Sequence, residues 1–327
     1  MYGLGAAMRR EAYARGVFGQ QKLRSPVISV GGLALGGSMK TPVVVELARV
    51  LASRGPKVGV VGHGYRGATE GPCIVSDGQQ PLASIDAAGD EAALMAHELP
   101  GCPVVVGRDK AAAGRALEEK FGKRIIVVDS GFQHLRLYRD IDIVCVTEAD
   151  LGDGVLPSGF LREFPRSLNR AHIVFTDRRT DGSRVERLRA SRPRDVFSLE
   201  RKDFGFFPID GSGEEVPVPE KIFVFCGIGR PEAFMTDLRS LGAAIVGKKV
   251  FRDHHRFTEA ELKDLAKSAE SAGALAAVVT TKDAVRIHAW PGPLPLLVLG
   301  ARVDIEGLPQ VLKRIDSMIL ARIKAGH

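Results

Sequence analysis

Aromatic residues are scarce in this chain: 6% of 327 residues, with a single Trp. A stacking platform for single-stranded nucleic acid is therefore not indicated, and no nucleic-acid partner is expected. Cysteine is scarce too. Cys73, Cys102, Cys145 and Cys226 are widely spaced and form no Cys-x-x-Cys pair. This excludes a zinc site built from cysteines, argues against a disulfide framework and fits a reducing cytoplasm. No uninterrupted apolar run reaches the roughly 18 residues that a spanning helix needs. The N-terminus has no apolar signal-peptide core. Internal repeats and low-complexity segments are also missing.

What is present is an ordinary globular composition, 45% hydrophobic and 26% charged. Lys and Arg number 46 against 39 Asp and Glu, a net charge of +7 that favours anionic partners. At about 100–200 residues per domain, the length suggests two domains. Residues 1–18 read as a short amphipathic helix, with Arg9, Arg10 and Arg15 among Leu4, Met8, Tyr13 and Phe18. It either packs on the domain or lies on an acidic membrane surface.

Val/Ile-rich runs at 26–30, 57–61, 103–106, 124–129, 141–146 and 171–175 alternate with helical spacing over 41–53 and 109–121. Continuous apolar strands separated by helices imply an α/β fold, with a parallel sheet covered on both faces. A polar, Arg-rich stretch covers 177–194, and Gly and Pro at 205–219 mark a boundary. A second α/β pattern follows: strands at 221–225, 243–246, 276–280 and 294–299, and helices at 231–241, 258–272 and 308–323. The expected division is a catalytic domain over 1–205, including the N-terminal helix, and a smaller α/β domain over 206–327.

The most informative segment is Ser29-Val-Gly-Gly-Leu-Ala-Leu-Gly-Gly-Ser-Met-Lys-Thr-Pro42. It follows a strand and opens a helix, the context of a phosphate-binding loop. Backbone N–H groups and the helix N-terminus would face the anion, with Lys40 reaching the β- and γ-phosphates and the Thr41 hydroxyl ligating Mg²⁺. Against the pattern G-x-x-x-x-G-K-[ST], the two glycine positions hold Ala34 and Met39. Asp129 ends a buried strand, as the second acidic element of a nucleotide site does. Asp90 and Glu91 open a helix, where carboxylates polarise a hydroxyl or simply answer the helix dipole. Phe251-Arg-Asp-His-His-Arg-Phe257 offers paired histidines as metal ligands, as a general base or as a solvated turn.

Together these segments resemble the tetraacyldisaccharide 4′-kinases of lipid A biosynthesis. The matching motifs run in order through the chain: the loop over 30–42, His63-Gly-Tyr-Arg-Gly67, Gly89-Asp-Glu91, Val106-Gly-Arg-Asp-Lys110, Asp129-Ser-Gly-Phe-Gln-His134 and Leu156-Pro-Ser-Gly-Phe-Leu-Arg-Glu163. Phe225-Cys-Gly-Ile-Gly-Arg-Pro-Glu232, Asp253-His-His-Arg-Phe257 and Thr280-Thr-Lys-Asp-Ala-Val285 complete them.

The resemblance implies a P-loop NTPase-like parallel sheet flanked by helices, with a second smaller α/β domain. It implies an ATP- and Mg²⁺-dependent kinase acting on the 4′-hydroxyl of a tetraacyl glucosamine disaccharide 1-phosphate, attached peripherally at the cytoplasmic face of the inner membrane. In that reading Ala34, Leu35, Gly36, Gly37, Ser38, Met39, Lys40 and Thr41 hold the nucleotide. Thr41, Asp129, Glu163 and Gln133 surround Mg²⁺. Asp90, assisted by His254, takes the proton of the sugar hydroxyl.

Three features depart from the family pattern. Met39 replaces a usual Gly, Ser130 replaces a usual second Asp, and the chain begins near where an apolar N-terminal helix would end. The third leaves a truncated start, a mis-assigned start and a peripheral attachment all open. Met39 and Ser130 motivate an alternative, a degenerate homologue that binds nucleotide or lipid without efficient transfer.

Overall fold

Each Val/Ile run becomes a buried strand, and the helices between the runs cover the sheet. A computed structural model describes residues 2–34, 39–63, 71–178, 180–191, 195–209, 215–229, 231–253, 255–287 and 289–325. The chain divides into two units, Met1–Glu200 with Val303–His327, and Arg201–Arg302.

The first unit opens with α1 (Tyr2–Ala14), β1 (Val27–Gly32), α2 (Lys40–Ser53), β2 (Val58–Gly62), β3 (Cys73–Ser76), α3 (Ile85–Ala88) and α4 (Asp90–Glu98). It continues through β4 (Val104–Val106), α5 (Lys110–Phe121), β5 (Ile125–Asp129), β6 (Ile141–Val146) and α6 (Glu148–Gly152). A 3₁₀ turn (Pro165–Arg170), β7 (Ile173–Asp177), α7 (Gly182–Ser191) and the start of β8 (Asp195–Pro208) follow. Its strand order is β8-β7-β6-β1-β5-β2-β4-β3, parallel except for the β3–β4 edge pair. Successive strand residues face opposite sides. Ile28 and Val30 of β1 therefore join a core with α2, while Val27 joins Ala111 and Leu117 of α5 on the other face. Burying each such side chain contributes on the order of 1.5–3 kcal/mol.

The second unit contains the end of β8, then β9 (Lys221–Cys226), α8 (Pro231–Ser240), β10 (Ala244–Val250), α9 (Glu259–Ser271), β11 (Ala276–Thr280), α10 (Thr281–Ala284) and most of β12 (Leu296–Ile305). Its strands run β10-β9-β11-β12, all parallel. The chain leaves the first unit within β8 and returns within β12 to form α11 (Leu308–Lys324).

That return differs from the expected division at 206–327. Val303 and Ile305 of β12 and Val311, Ile315 and Ile319 of α11 share one core with Ile28, Leu47 and Ile143. Arg322 is buried against Asp140, and its Nη2 donates to the Leu23 carbonyl at 2.6 Å. The helix α7 also lies in the stretch at 177–194 read as polar, and β8 runs from residues assigned no element into the boundary read at 205–219. Charged residues at 200–203 interrupt the apolar pattern of β8, and pairing with β7 supplies the order that pattern alone does not.

Candidate functional site

The strand β1 sits between β5 and β6, and Val30 lies in register with Asp129 at the carboxyl end of β5. The chain then leaves β1 through Leu33 and Ala34. Both are buried and held by a neighbouring turn: Arg162 donates its N–H to the Leu33 carbonyl at 2.7 Å, and Ala34 bridges Leu161. Leu35, Gly36, Gly37 and Ser38 lie outside the described residues. The chain reappears at Met39, which caps α2 in the left-handed region at φ 51°, ψ 19°. Glycine adopts that conformation freely, whereas other residues spend about 1–2 kcal/mol. The Met39 side chain packs against the core beneath α2, which offsets this strain. Pro42 falls in the first turn, where a missing N–H breaks no helical bond. The buried face of α2 (Val43, Val44, Leu47, Ala48 and Leu51) anchors Lys40 and Thr41 at its start.

Thr41 donates its hydroxyl to Asp129 Oδ2 at 3.1 Å. Ser130, itself left-handed at φ 55°, donates to Asp129 Oδ1 at 3.1 Å. A hydroxyl and a carboxylate oxygen at the mouth of a phosphate loop are hard donors of the kind Mg²⁺ takes alongside phosphate oxygens. Thr41 and Asp129 therefore fit such an ion. Glu163 and Gln133 stand together in an adjoining cluster. Arg170 Nη2 reaches Glu163 at 2.9 and 2.7 Å, while the Gln133 amide donates to Glu163 at 3.2 Å and to the Gly32 carbonyl at 2.9 Å. The Arg170 guanidinium also lies 4.0 Å from the Phe132 ring centre. Glu163 thus orients Gln133 beneath the loop, and Arg170 occupies its oxygens.

Lys40 and Lys110 both feel the charge of Asp129 at this edge. Burial holds the Lys40 ammonium below the ordinary lysine value, against the pull of Asp129. Lys110, only 1% exposed, is the clearest case, and sequence reading assigned it no role. Its Nζ has no hydrogen-bond partner among the described residues. Burial pushes it down to about 7, with Asp129 pulling the other way. Asp109 accepts from the N–H groups of Ala111 and Ala112 at 2.9 and 3.2 Å, capping α5 and so fixing Lys110 in its first turn. Nearby, burial first and Lys110 second depress His134 to about 4 and lower His63, leaving both imidazoles neutral near pH 7. A buried ammonium with no hydrogen-bond acceptor among the described residues suits an anionic ligand, and this could not be read from Val106-Gly-Arg-Asp-Lys110 alone.

Asp90 is the first residue of α4, half-buried and capped by Gly89 at φ 88°. An acidic side chain in a first turn answers the helix dipole. The helix α4 packs against α2 and on β3 and β4, and its Met95 side chain closes on Gly62 of β2. In the second unit His254 lies outside the described residues. Its neighbour His255 is committed to packing. The ring stacks on Phe251 at 4.3 Å, meets Phe257 edge-on at 5.2 Å and places Nε2 3.1 Å from Glu261. Of the two histidines, only His254 therefore remains a candidate for chemistry. Among the described residues no cluster of three or more His, Cys, Asp or Glu side chains forms a metal site.

The chain and its fold are similar to known proteins. A family model for tetraacyldisaccharide-1-P 4′-kinases matches residues 1–320. The chain belongs to this family. Tetraacyldisaccharide 4′-kinases of Anaeromyxobacter sp. and Geobacter metallireducens are 37% and 38% identical to it, covering 94% and 88% of this chain and 85% and 86% of their own lengths. That of Syntrophus aciditrophicus is 36% identical over 99% of this chain and 91% of its own. The fold matches a crystal structure of LpxK from Aquifex aeolicus in complex with ATP, with a TM-score of 0.81 and 29% identity over 97% of this chain and 96% of that one. Among tetraacyldisaccharide 4′-kinases the non-transferring alternative finds no support.

Proposed function

We propose that this chain transfers the γ-phosphoryl group of ATP to the 4′-hydroxyl of a tetraacyl glucosamine disaccharide 1-phosphate. The observation that carries the reading is the junction of β1, α2 and β5. Lys40 opens the helix after the phosphate loop, and the Thr41 hydroxyl meets Asp129 at 3.1 Å. Phosphoryl transfer depends on positioning and charge neutralisation more than on covalent chemistry. Lys40, the amides of residues 34–41 and the buried Lys110 supply the positive side. Mg²⁺ held by Thr41 and Asp129 would neutralise phosphate charge there, while Gln133 and Glu163 support the loop from below. Asp90 takes the proton of the acceptor hydroxyl, with His254 assisting.

The acceptor's acyl chains call for contact with a membrane, and peripheral attachment at the cytoplasmic face of the inner membrane fits them. Met8, Val17 and Phe18 in and after α1 are exposed, while Arg10 ties this helix to Ser167 at 2.9 Å. No helix among the described residues is long and apolar enough to cross a membrane.

The test is transfer from γ-³²P-labelled ATP to the purified lipid disaccharide. Label should appear in the lipid only with acceptor, protein and Mg²⁺ together, and should vanish with Lys40→Ala. Acceptor-independent hydrolysis alone, or undiminished transfer by Lys40→Ala, overturns the reading.

A further inference from the structure

The turn between α6 and the 3₁₀ segment is closed by its own hydrogen bonds. Asp153 Oδ2 accepts the Phe160 N–H at 2.8 Å, Leu161 donates to the Gly154 carbonyl at 3.0 Å, and Leu156 donates to the Leu161 carbonyl at 2.9 Å. A Cβ on Gly159 would strike the Gly154 carbonyl and Asp153 Oδ1, so the close approach needs glycine. Val155 and Leu161 are buried in one core with Leu33, Ala34 and Phe132. The same turn therefore braces the entry to the phosphate loop, where Leu161 bridges Ala34 and Arg162 donates to the Leu33 carbonyl.

On this braced turn two aromatic rings face solvent, Phe160 at 69% exposure and Phe164 at 42%. Exposed apolar groups rimmed by charge mark interaction surfaces, and the rim here is basic. The exposed Arg166 places its guanidinium 5.1 Å from the centre of the Phe164 ring. Arg10 of α1 reaches Ser167 at 2.9 Å and Glu163 at 3.8 Å, so α1, with Met8 and Arg9 exposed, adjoins the turn. Two rings offer at most about 150–250 Å² each. That falls short of the roughly 800 Å² that each partner gives to a standard protein interface. A bilayer asks for no matched area. A ring that enters it is surrounded by acyl chain, and an arginine at the edge meets anionic headgroups.

We propose that Phe160 and Phe164 insert into the surface of an anionic bilayer, with Arg166 against its headgroups, and that this turn holds the phosphate loop at headgroup depth. The choice of a bilayer rests on the acylated acceptor proposed above. Because Leu161 follows Phe160 directly and bridges Ala34, the ring and the phosphate loop move as one piece. The docking surface is thus part of the nucleotide-binding framework, in addition to α1.

The experiment is sedimentation of the full chain with vesicles of phosphatidylcholine and phosphatidylglycerol, without ATP or acceptor. The combined variant Phe160→Ser and Phe164→Ser should bind about tenfold more weakly than the parent, with an unchanged melting curve. Arg166→Gln should weaken binding about fivefold, and should lose that effect on vesicles of phosphatidylcholine alone. As a second measurement, Phe160→Trp combined with Trp290→Phe puts the chain's one indole in the turn. Its emission should shift to the blue on the anionic vesicles and be quenched by brominated acyl chains. Undiminished binding by the double serine variant overturns the proposal, and so does an indole that vesicles leave unshifted. A shift that appears only when the lipid disaccharide is added also overturns it, because the rings then hold the acceptor's chains rather than the bilayer. Transfer from labelled ATP is read separately. A parent that binds vesicles through both rings but transfers nothing overturns the kinase reading alone. A parent that transfers, with vesicle binding indifferent to both rings, overturns the docking surface alone.

Discussion

Met39 shows how a residue that breaks a local rule is accommodated. Its left-handed backbone and its packing against the core pull in opposite directions. Met39→Gly relieves the first and forfeits the second, so stability should change by less than about 1 kcal/mol. Met39→Ala keeps the strain and loses the packing. It should be less stable than the glycine variant by about 1 kcal/mol, the reverse of the usual helix ranking, as urea denaturation would read. Lys110 carries the opposite lesson, a burial that costs stability. In the folded chain its ammonium titrates at about 7 rather than 10.5. Below about 7 both folded and unfolded states hold the proton, and the burial penalty is fully present. Between that value and 10.5 only the unfolded state holds it, so stability rises with pH across this window. Lys110→Met should therefore stabilise the nucleotide-free protein by roughly 1–3 kcal/mol at neutral pH and below, with the gain fading toward pH 10.5 in thermal denaturation. The same change should lower phosphoryl transfer.

Among the elements, β1 and the segment after β5 set the phosphate loop. Gly31 in β1 approaches Phe132 so closely that an added Cβ would meet the Phe132 Cβ and lie 3.0 Å from its backbone nitrogen. The obstacle is backbone and cannot rotate away. Gly31→Ala should destabilise by on the order of 1–3 kcal/mol and raise the KM for ATP, because Phe132 adjoins Gln133 and Ser130. Calorimetric binding of Mg-ATP, run beside the melting curve, separates the two effects.

At the scale of the molecule, α11 completes the core of the first unit although it is the last element of the chain. Ile315 is fully buried there. Ile315→Ala should cost about 2–4 kcal/mol and lower the thermal midpoint of that unit. Saturating ATP should recover part of the loss by mass action. If the second unit melts early instead, as reported by the fluorescence of its one tryptophan, Trp290, the assignment of α11 to the first core is wrong.

The alternation of Val/Ile runs with helical stretches was enough to read an α/β fold with a parallel-rich sheet flanked by helices, and the ordered motifs were enough to read the family. These are local signals: a period, a turn, a residue type at a strand end. Tertiary structure alone decided what depends on distant partners. It returned residues 303–327 to the first core, because their apolar face matches a sheet laid down far earlier in the chain. It turned Glu163 toward Arg170, committed His255 to an aromatic stack and left the buried Lys110 ammonium with no hydrogen-bond partner among the described residues. Burial and charge pairing depend on where the whole chain goes, and no spacing along a sequence encodes them directly.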